Sequence, residues 1–437
     1  MNVLRRLRSI FLSRGAGFVL LMVLIGTGAY VFVFRAQYYA SAALKRSAVT
    51  NAWLSRGFSV AVVWRKSDPN ALSLREGVQL ALDEINARGG PLAGKITLVF
   101  YDETEDRGAI ARAVVARDDV IAVIGHELDE TTIPASVTYD NNGVLFLSPK
   151  STDVRLTAHR FPYVFRLTPD DRDMTAALQT YAIGNGWKRV GILHARSEHG
   201  EAASSRFLTA AGSAGIVVPF MRSYFNTAPQ SNYGNQDFRQ MLAAIRDYQF
   251  DALALAGELP WAGKLISDMQ QMHVRLPVLA TDKLDSSRVE ADSGYTVSSN
   301  LHVASAVDPD SNDADFVAFR NRFREKNANR NPGYGSSQGY AALMLLANAI
   351  QSSGSADPVV VATTLKINCW KSVFGDVSFD PKGDIIGRHI SIKRWTWKAA
   401  ENRWAFETVR TMTVADDETR ETERNALLTK EGRTCLP

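Results

Sequence analysis

Cysteine is nearly absent from this sequence: Cys369 and Cys435 are the only two in 437 residues. That excludes a small scaffold stapled by disulfides, and a single pair supplies too few ligands for a structural zinc site. The pair suits an oxidising compartment in which it could bridge, but spacing alone leaves the bond open. The phosphate-cradling signatures G-x-G-x-x-G and G-x-x-x-x-G-K-[ST] follow no strand, so no nucleotide cofactor is expected. His126, His159, His194, His199, His273, His302 and His389 are scattered without a helical pair, and no metal site is expected either. Acid is missing from the first 46 residues, which hold Arg5, Arg6, Arg8, Arg14, Arg35, Lys45 and Arg46. The formal charge of +4 therefore belongs to this leader, and the slightly acidic remainder gives no reason to expect nucleic acid.

What is present begins with an uncharged run, Gly15 to Phe34, reading GAGFVLLMVLIGTGAYVFVF. About 20 such residues cross a bilayer as a helix, and the four arginines before it favour a cytoplasmic N-terminus. The expectation is a stub (1–14), a transmembrane anchor (15–34) and a linker (35–56), in the inner (cytoplasmic) membrane with the rest in the periplasm or outside. Ala40-Ser41-Ala42 keeps a cleavable signal open as the alternative. No later run is apolar enough to cross again.

The body, 46% hydrophobic over the whole chain, alternates strand and helix from Phe58 onward. Strands are expected at 59–64, 95–100, 120–124 and 144–147. A helix opens at the capping box Ser73-Leu-Arg-Glu76, and another runs over 107–117. The pattern restarts after Arg166, with strands at 189–193, 215–218, 251–255 and 277–280. The intervening helices are expected at 172–184, from Gly200, near 236–248 and near 261–273. Helices near 313–327 and 337–351 follow, then alternating strands at 390–397 and 404–409. The fold class is α/β, with two doubly wound, mostly parallel sheets. Residues 226–237 form a polar insertion, and the charged tail covers 411–437.

Two motifs tempt and fail on context. Gly335-Ser-Ser-Gln-Gly339 has the spacing of a nucleophile elbow, but a loop precedes it where a strand is required. Asp308, Asp310 and Asn312 open like a calcium loop, yet Asp313 stands at the glycine position and Phe319 at the bidentate acid, so helix capping explains them better. No nucleophile, base and orienter share a supporting context, and an enzyme is not expected.

Open parallel sheets bind ligands outside the carboxyl ends of their strands, which singles out another set. Asp129 and Glu130 follow the third strand, Lys150, Ser151 and Thr152 the fourth, and His199, Glu258 and Asp282 hold equivalent ends in the second unit. Trp64 closes the first strand. Any one of the acids could instead cap a helix, where negative charge is favourable by ~0.3–1 kcal/mol.

Gly77-Val-Gln-Leu-Ala-Leu-Asp-Glu-Ile-Asn-Ala-Arg-Gly-Gly90, Gly94-Lys-Ile, Tyr101-Asp102, Gly143-Val-Leu-Phe-Leu-Ser-Pro149, Val164-Phe-Arg166 and Phe374-Gly-Asp-Val-Ser-Phe-Asp-Pro-Lys-Gly-Asp384 occur in one order. Together they resemble the branched-chain amino-acid-binding family of type I periplasmic binding proteins over roughly residues 57–398. The resemblance implies two lobes joined by three crossings, the first spanning 57–170 and 307–388, the second 171–306 and 389–410. A small polar solute in the cleft would contact both lobes and favour closure. It also implies that an acid at Asp282 holds the ligand's amine, and that Thr152 belongs to the hydroxyl positions facing its carboxylate. The chain departs from the family at Asp129, where a serine is usual, and at Lys150, where a small residue is. Lys150 is therefore expected to neutralise Asp129 or to anchor an anionic group. The partners implied are permease subunits of an ABC-type importer or, alternatively, a membrane sensor protein read through the anchor.

Overall fold

The computed structural model describes residues 46, 57–66, 71–104, 108–225, 238–245, 248–286, 289–297, 300–399, 402–413 and 435–436. The expected anchor at 15–34, the insertion at 226–237 and the tail from 414 to 434 lie outside them.

Strands β1 (Phe58–Trp64), β2 (Ile96–Asp102), β3 (Val120–Gly125), β4 (Leu145–Ser148) and β5 (Val164–Arg166) form one sheet in the order β2-β1-β3-β4-β5. Every pairing in it is parallel. β1 and β3 are buried along their whole length, as continuous Val/Ile runs must be when helices cover both faces. The second unit repeats this winding. β6 (Val190–Ala195), β7 (Met221–Tyr224), β8 (Ala252–Ala256), β9 (Val278–Ala280) and β10 (Leu301–Ser305) lie in the order β7-β6-β8-β9-β10. A separate small sheet holds β11 (Trp370–Ser372), β12 (Gly375–Phe379) and β13 (Ile385–Ile386). The chain then returns to the second sheet, where β14 (His389–Lys398) and β15 (Arg403–Thr413) add an antiparallel edge beside β10.

The strand expected at 215–218 is displaced. Val217 makes a single bridge to Arg189, and the ladder resumes only at Met221. Pro219 lies between them and has no N–H to donate, so a β-branched run that reads as a strand stops short of one.

The Ser73 capping box is also corrected, because the helix already runs from Ala71 to Ala87 and Ser73 lies inside it. Its hydroxyl instead accepts a bond from the backbone N–H of Ser336 at 3.1 Å. Ser336 belongs to the apolar helix Tyr334–Ser353, which packs directly against helix Ala71–Ala87. A Cβ on Gly77 would come within 2.0 Å of the Ser336 carbonyl oxygen, and one on Gly339 within 2.8 Å of Val78 Cγ2. Gly339 of the false nucleophile motif thus serves a close helix crossing. Asp313 caps helix Ala314–Lys326, accepting from the N–H groups of Asp315 and Phe316.

Three segments link the two sheets: 167–170, 306–307 and 387–388. Two motifs distant in sequence meet at the first of them. Arg166 is buried, pairs with Asp384 at 2.7 Å, and donates to the Asp153 carbonyl and the Thr157 hydroxyl, each at 2.7 Å. Cys369 and Cys435 are bonded with their Cα atoms 4.5 Å apart, and Leu436 pairs with Trp370 at the edge of β11.

Candidate ligand-binding cleft

The switch point of each sheet lies between its first and third strands, β1 and β3 in one and β6 and β8 in the other, and ligands of such sheets bind beyond these strand ends. Helix Asp129–Asn141 starts just beyond β3 and carries Asp129 in its first turn. The turn before it is held by a buried polar group. The Glu103 carboxylate accepts from the Glu127 N–H at 2.9 Å and the Thr131 hydroxyl at 2.8 Å, and pairs with His126 Nδ1 at 2.9 Å. His126 Nε2 bonds the Tyr139 hydroxyl at 2.9 Å. Asp129 therefore projects from a rigid support.

From that support Asp129 accepts a 2.6 Å bond from the Ser151 hydroxyl. Its other oxygen lies 3.7 Å from the Lys283 ammonium, which comes from the second lobe. Burial opposes ionisation of Asp129, but Lys283 and His199 outweigh it and hold the carboxyl below its usual range. The lysine responds in the same way. Burial would lower the pKa of Lys283, yet Asp129, Asp282 and Glu258 keep it raised. Lys283, which the sequence reading did not place here, is thus an ion-pair partner of Asp129. Lys150 is buried, its ammonium 5.5 Å from the centre of the Tyr334 ring.

Asp282 follows β9 and is 2% exposed, and burial raises its pKa despite Lys283, Lys150 and His199 nearby. Neither of its carboxylate oxygens has a hydrogen-bond partner among the described residues. The same holds for Thr152 Oγ1, His199 Nδ1 and Tyr224 Oη. His199 is oriented through Nε2, which lies 3.2 Å from the Thr281 hydroxyl. An unmade hydrogen bond at a buried group costs roughly 1–3 kcal/mol, which makes these atoms the candidates for solute contact.

Of the residues expected from sequence, Asp129, Lys150, Ser151, Thr152, His199 and Asp282 gather here. Glu130 is half-buried in the same helical turn as Asp129, and Glu258 is half-buried at the end of β8. Trp64 is buried in the hydrophobic core cluster of the same sheet. Lys283 and Tyr224 were missed. Lys283 was open to the same strand-end reasoning as Asp282, its neighbour. Tyr224 was hidden by the misplaced strand at 215–218. Its hydroxyl sits over the end of β8, where a Cβ on Gly257 would fall 1.9 Å from it, and burial with Glu258 raises its pKa.

Further ion pairs span the lobes at the rim. Arg155 pairs with Glu198, and Arg206, which pairs with Asp171 of its own lobe at 2.9 Å, lies 3.8 Å from Asp153. The arrangement offers donors, acceptors and compensated charges of both signs, which suits capture of a small polar molecule from two sides.

A family model described as "Periplasmic binding protein" matches residues 61–399. The Leu/Ile/Val-binding protein homolog 2 of Brucella abortus is 28% identical over 316 residues, covering 71% of this chain and 82% of the relative. The leucine-, isoleucine-, valine-, threonine- and alanine-binding protein of Pseudomonas aeruginosa is 26% identical over 327 residues, covering 74% and 84%. A solved ABC transporter substrate-binding protein from Desulfitobacterium hafniense, in complex with Leu, is similar at 27% identity and a TM-score of 0.68, covering 80% of this chain and 99% of that one.

Proposed function

Because the chain belongs to the periplasmic binding protein family, we propose that its cleft captures an amino acid or a closely related zwitterion, and that residues 15–34 anchor it in the inner membrane beside the importer it serves. The coarser activity is non-catalytic, extracytoplasmic binding of a small solute for ABC-type import, as in its relatives. One observation carries the finer reading. Buried polar atoms lack partners among the described residues at the strand ends of both lobes, Thr152 Oγ1 on one and His199 Nδ1 and both Asp282 oxygens on the other, and Lys150 and His199 both act on the Asp282 charge. Asp282 takes the solute's cationic group, and Thr152 with Lys150 takes its anionic one. Closure follows because only the closed form makes both sets of contacts, and a ligand shifts the equilibrium by that difference in affinity. Asp129 does not repel the anion, since Lys283 compensates it. Among the described residues no helix is long and apolar enough to cross a membrane, and the anchor is argued from the apolar run and its flanking arginines alone.

Isothermal titration against neutral amino acids, dicarboxylates and amides tests the solute class, with the zwitterions expected to bind. Lys150→Ala is expected to weaken that binding by about tenfold, the loss of one charge-assisted hydrogen bond. Unchanged affinity in this variant would remove Lys150 from the site.

A further inference from the structure

Arg388 lies in the third crossing between the lobes, is 2% exposed, and reaches both of the others. Its Nη1 donates to the Leu167 carbonyl of the first crossing at 2.9 Å, and its Nη2 donates to the Ala306 carbonyl of the second. One planar fork thus holds all three hinge segments, a geometry that a lysine cannot reproduce. The guanidinium also lies 3.7 Å from the centre of the Phe374 ring. No carboxylate pairs with it among the described residues, and burial lowers its pKa to about 10. A buried cation without an acid partner is costly, so its retention at the pivot calls for a role beyond packing.

The fork is linked to the cleft as well. Arg388 Nη1 also donates to Gln338 Oε1 at 3.3 Å, and Gln338 Nε2 donates to the Tyr334 hydroxyl at 3.5 Å. That hydroxyl lies 3.3 Å from the Pro149 carbonyl and 3.5 Å from Thr168 Oγ1, which is in the first crossing. The Tyr334 ring faces the Lys150 ammonium. Gln338 belongs to the Gly335–Gly339 segment, so the motif without a catalytic role contributes the joint between hinge and site.

We infer that Arg388 is the positioning residue of the hinge: it clamps the three crossings to one another and, through Gln338 and Tyr334, couples their geometry to Lys150 in the cleft. This rests on the solute-binding reading only for the coupling, and not for the clamp. Hinge closure is carried by a few residues between rigid lobes, and a clamp on all of them limits the range of angles the lobes sample.

Distance distributions between spin labels at Val137→Cys and Leu208→Cys, exposed sites on opposite lobes, test the clamp in the full-length protein without solute. Arg388→Met is expected to broaden the distribution roughly twofold, and Arg388→Lys to broaden it by less, since the charge stays but the fork is lost. Wild-type width in both variants overturns the proposal. Should Arg388→Met not fold, Gln338→Leu decides, with broadening expected at an unchanged melting temperature and wild-type width contradicting it. L-leucine is the probe for coupling. If it narrows the wild-type distribution, it should narrow that of Gln338→Leu less, and equal narrowing would overturn the link. If leucine leaves the wild type unchanged, the choice of solute fails, while the solute-free widths still decide the clamp.

Discussion

Lys283 shows how much a single side chain can redirect a site. Its ammonium lies 3.7 Å from Asp129 across the lobe boundary, with both side chains less than a tenth exposed. Removing one member of a buried pair strands the other, whereas removing both can be nearly neutral. Lys283→Met is therefore expected to lower unfolding stability by about 3 kcal/mol, and adding Asp129→Asn to recover most of it in a denaturant double-mutant cycle. His302 is the residue to watch in acid. It is buried between Tyr181 and Trp187, and burial lowers its pKa from 6.5 to about 4. The unfolded chain binds the proton first as pH falls, so this contribution is complete above pH 6.5 and is lost as the pH drops through 4. The loss is on the order of 3 kcal/mol, and His302→Phe is expected to flatten that limb of the stability profile.

At the scale of elements, the crossing of helices Ala71–Ala87 and Tyr334–Ser353 has no room for a methyl group at Gly77, where a Cβ would sit 2.0 Å from the Ser336 carbonyl oxygen. Gly77→Ala is expected to lower the guanidinium midpoint by an amount equivalent to about 3 kcal/mol, the upper end for overpacking. Gly212→Ala, with nothing within 4 Å of its Cβ and a helical φ of −62°, should be neutral or slightly stabilising. Elements of this kind were legible in the sequence because burial on both sheet faces writes continuous apolar strands, and β1 and β3 fall within two residues of expectation. The misplaced strand before Tyr224 shows the limit, since Val217 and Val218 satisfy a local pattern that Pro219 then interrupts. The site divides along similar lines. Asp129, Thr152 and Asp282 follow from the strand-end rule, which is topological. The ion pair between Asp129 and Lys283 could not be read, because it arises only when the two lobes are placed against each other. Arg388 was invisible for the same reason, its contacts being carbonyls far away in sequence.

Across the whole molecule, two lobes of the same winding are joined at Arg388 and tied at their rims by ion pairs. The Cys369–Cys435 bond closes a loop of 66 residues and returns the C-terminus to the first lobe's small sheet. Cys435→Ser is expected to lower stability by about 4 kcal/mol on the chain-entropy account, read from the melting transition with and without reductant. The proposed capture of a solute depends on buried polar groups that lack partners among the described residues, Asp282 above all. Calorimetric titration of Asp282→Asn beside the wild type, with the same neutral amino acids, tests it most directly. The amide removes a buried carboxylate that has no hydrogen-bond partner among the described residues, so affinity should fall about 100-fold while the solute-free protein melts at a higher temperature. Wild-type affinity in Asp282→Asn, or a lower melting temperature with binding intact, would contradict a role for Asp282 in solute capture.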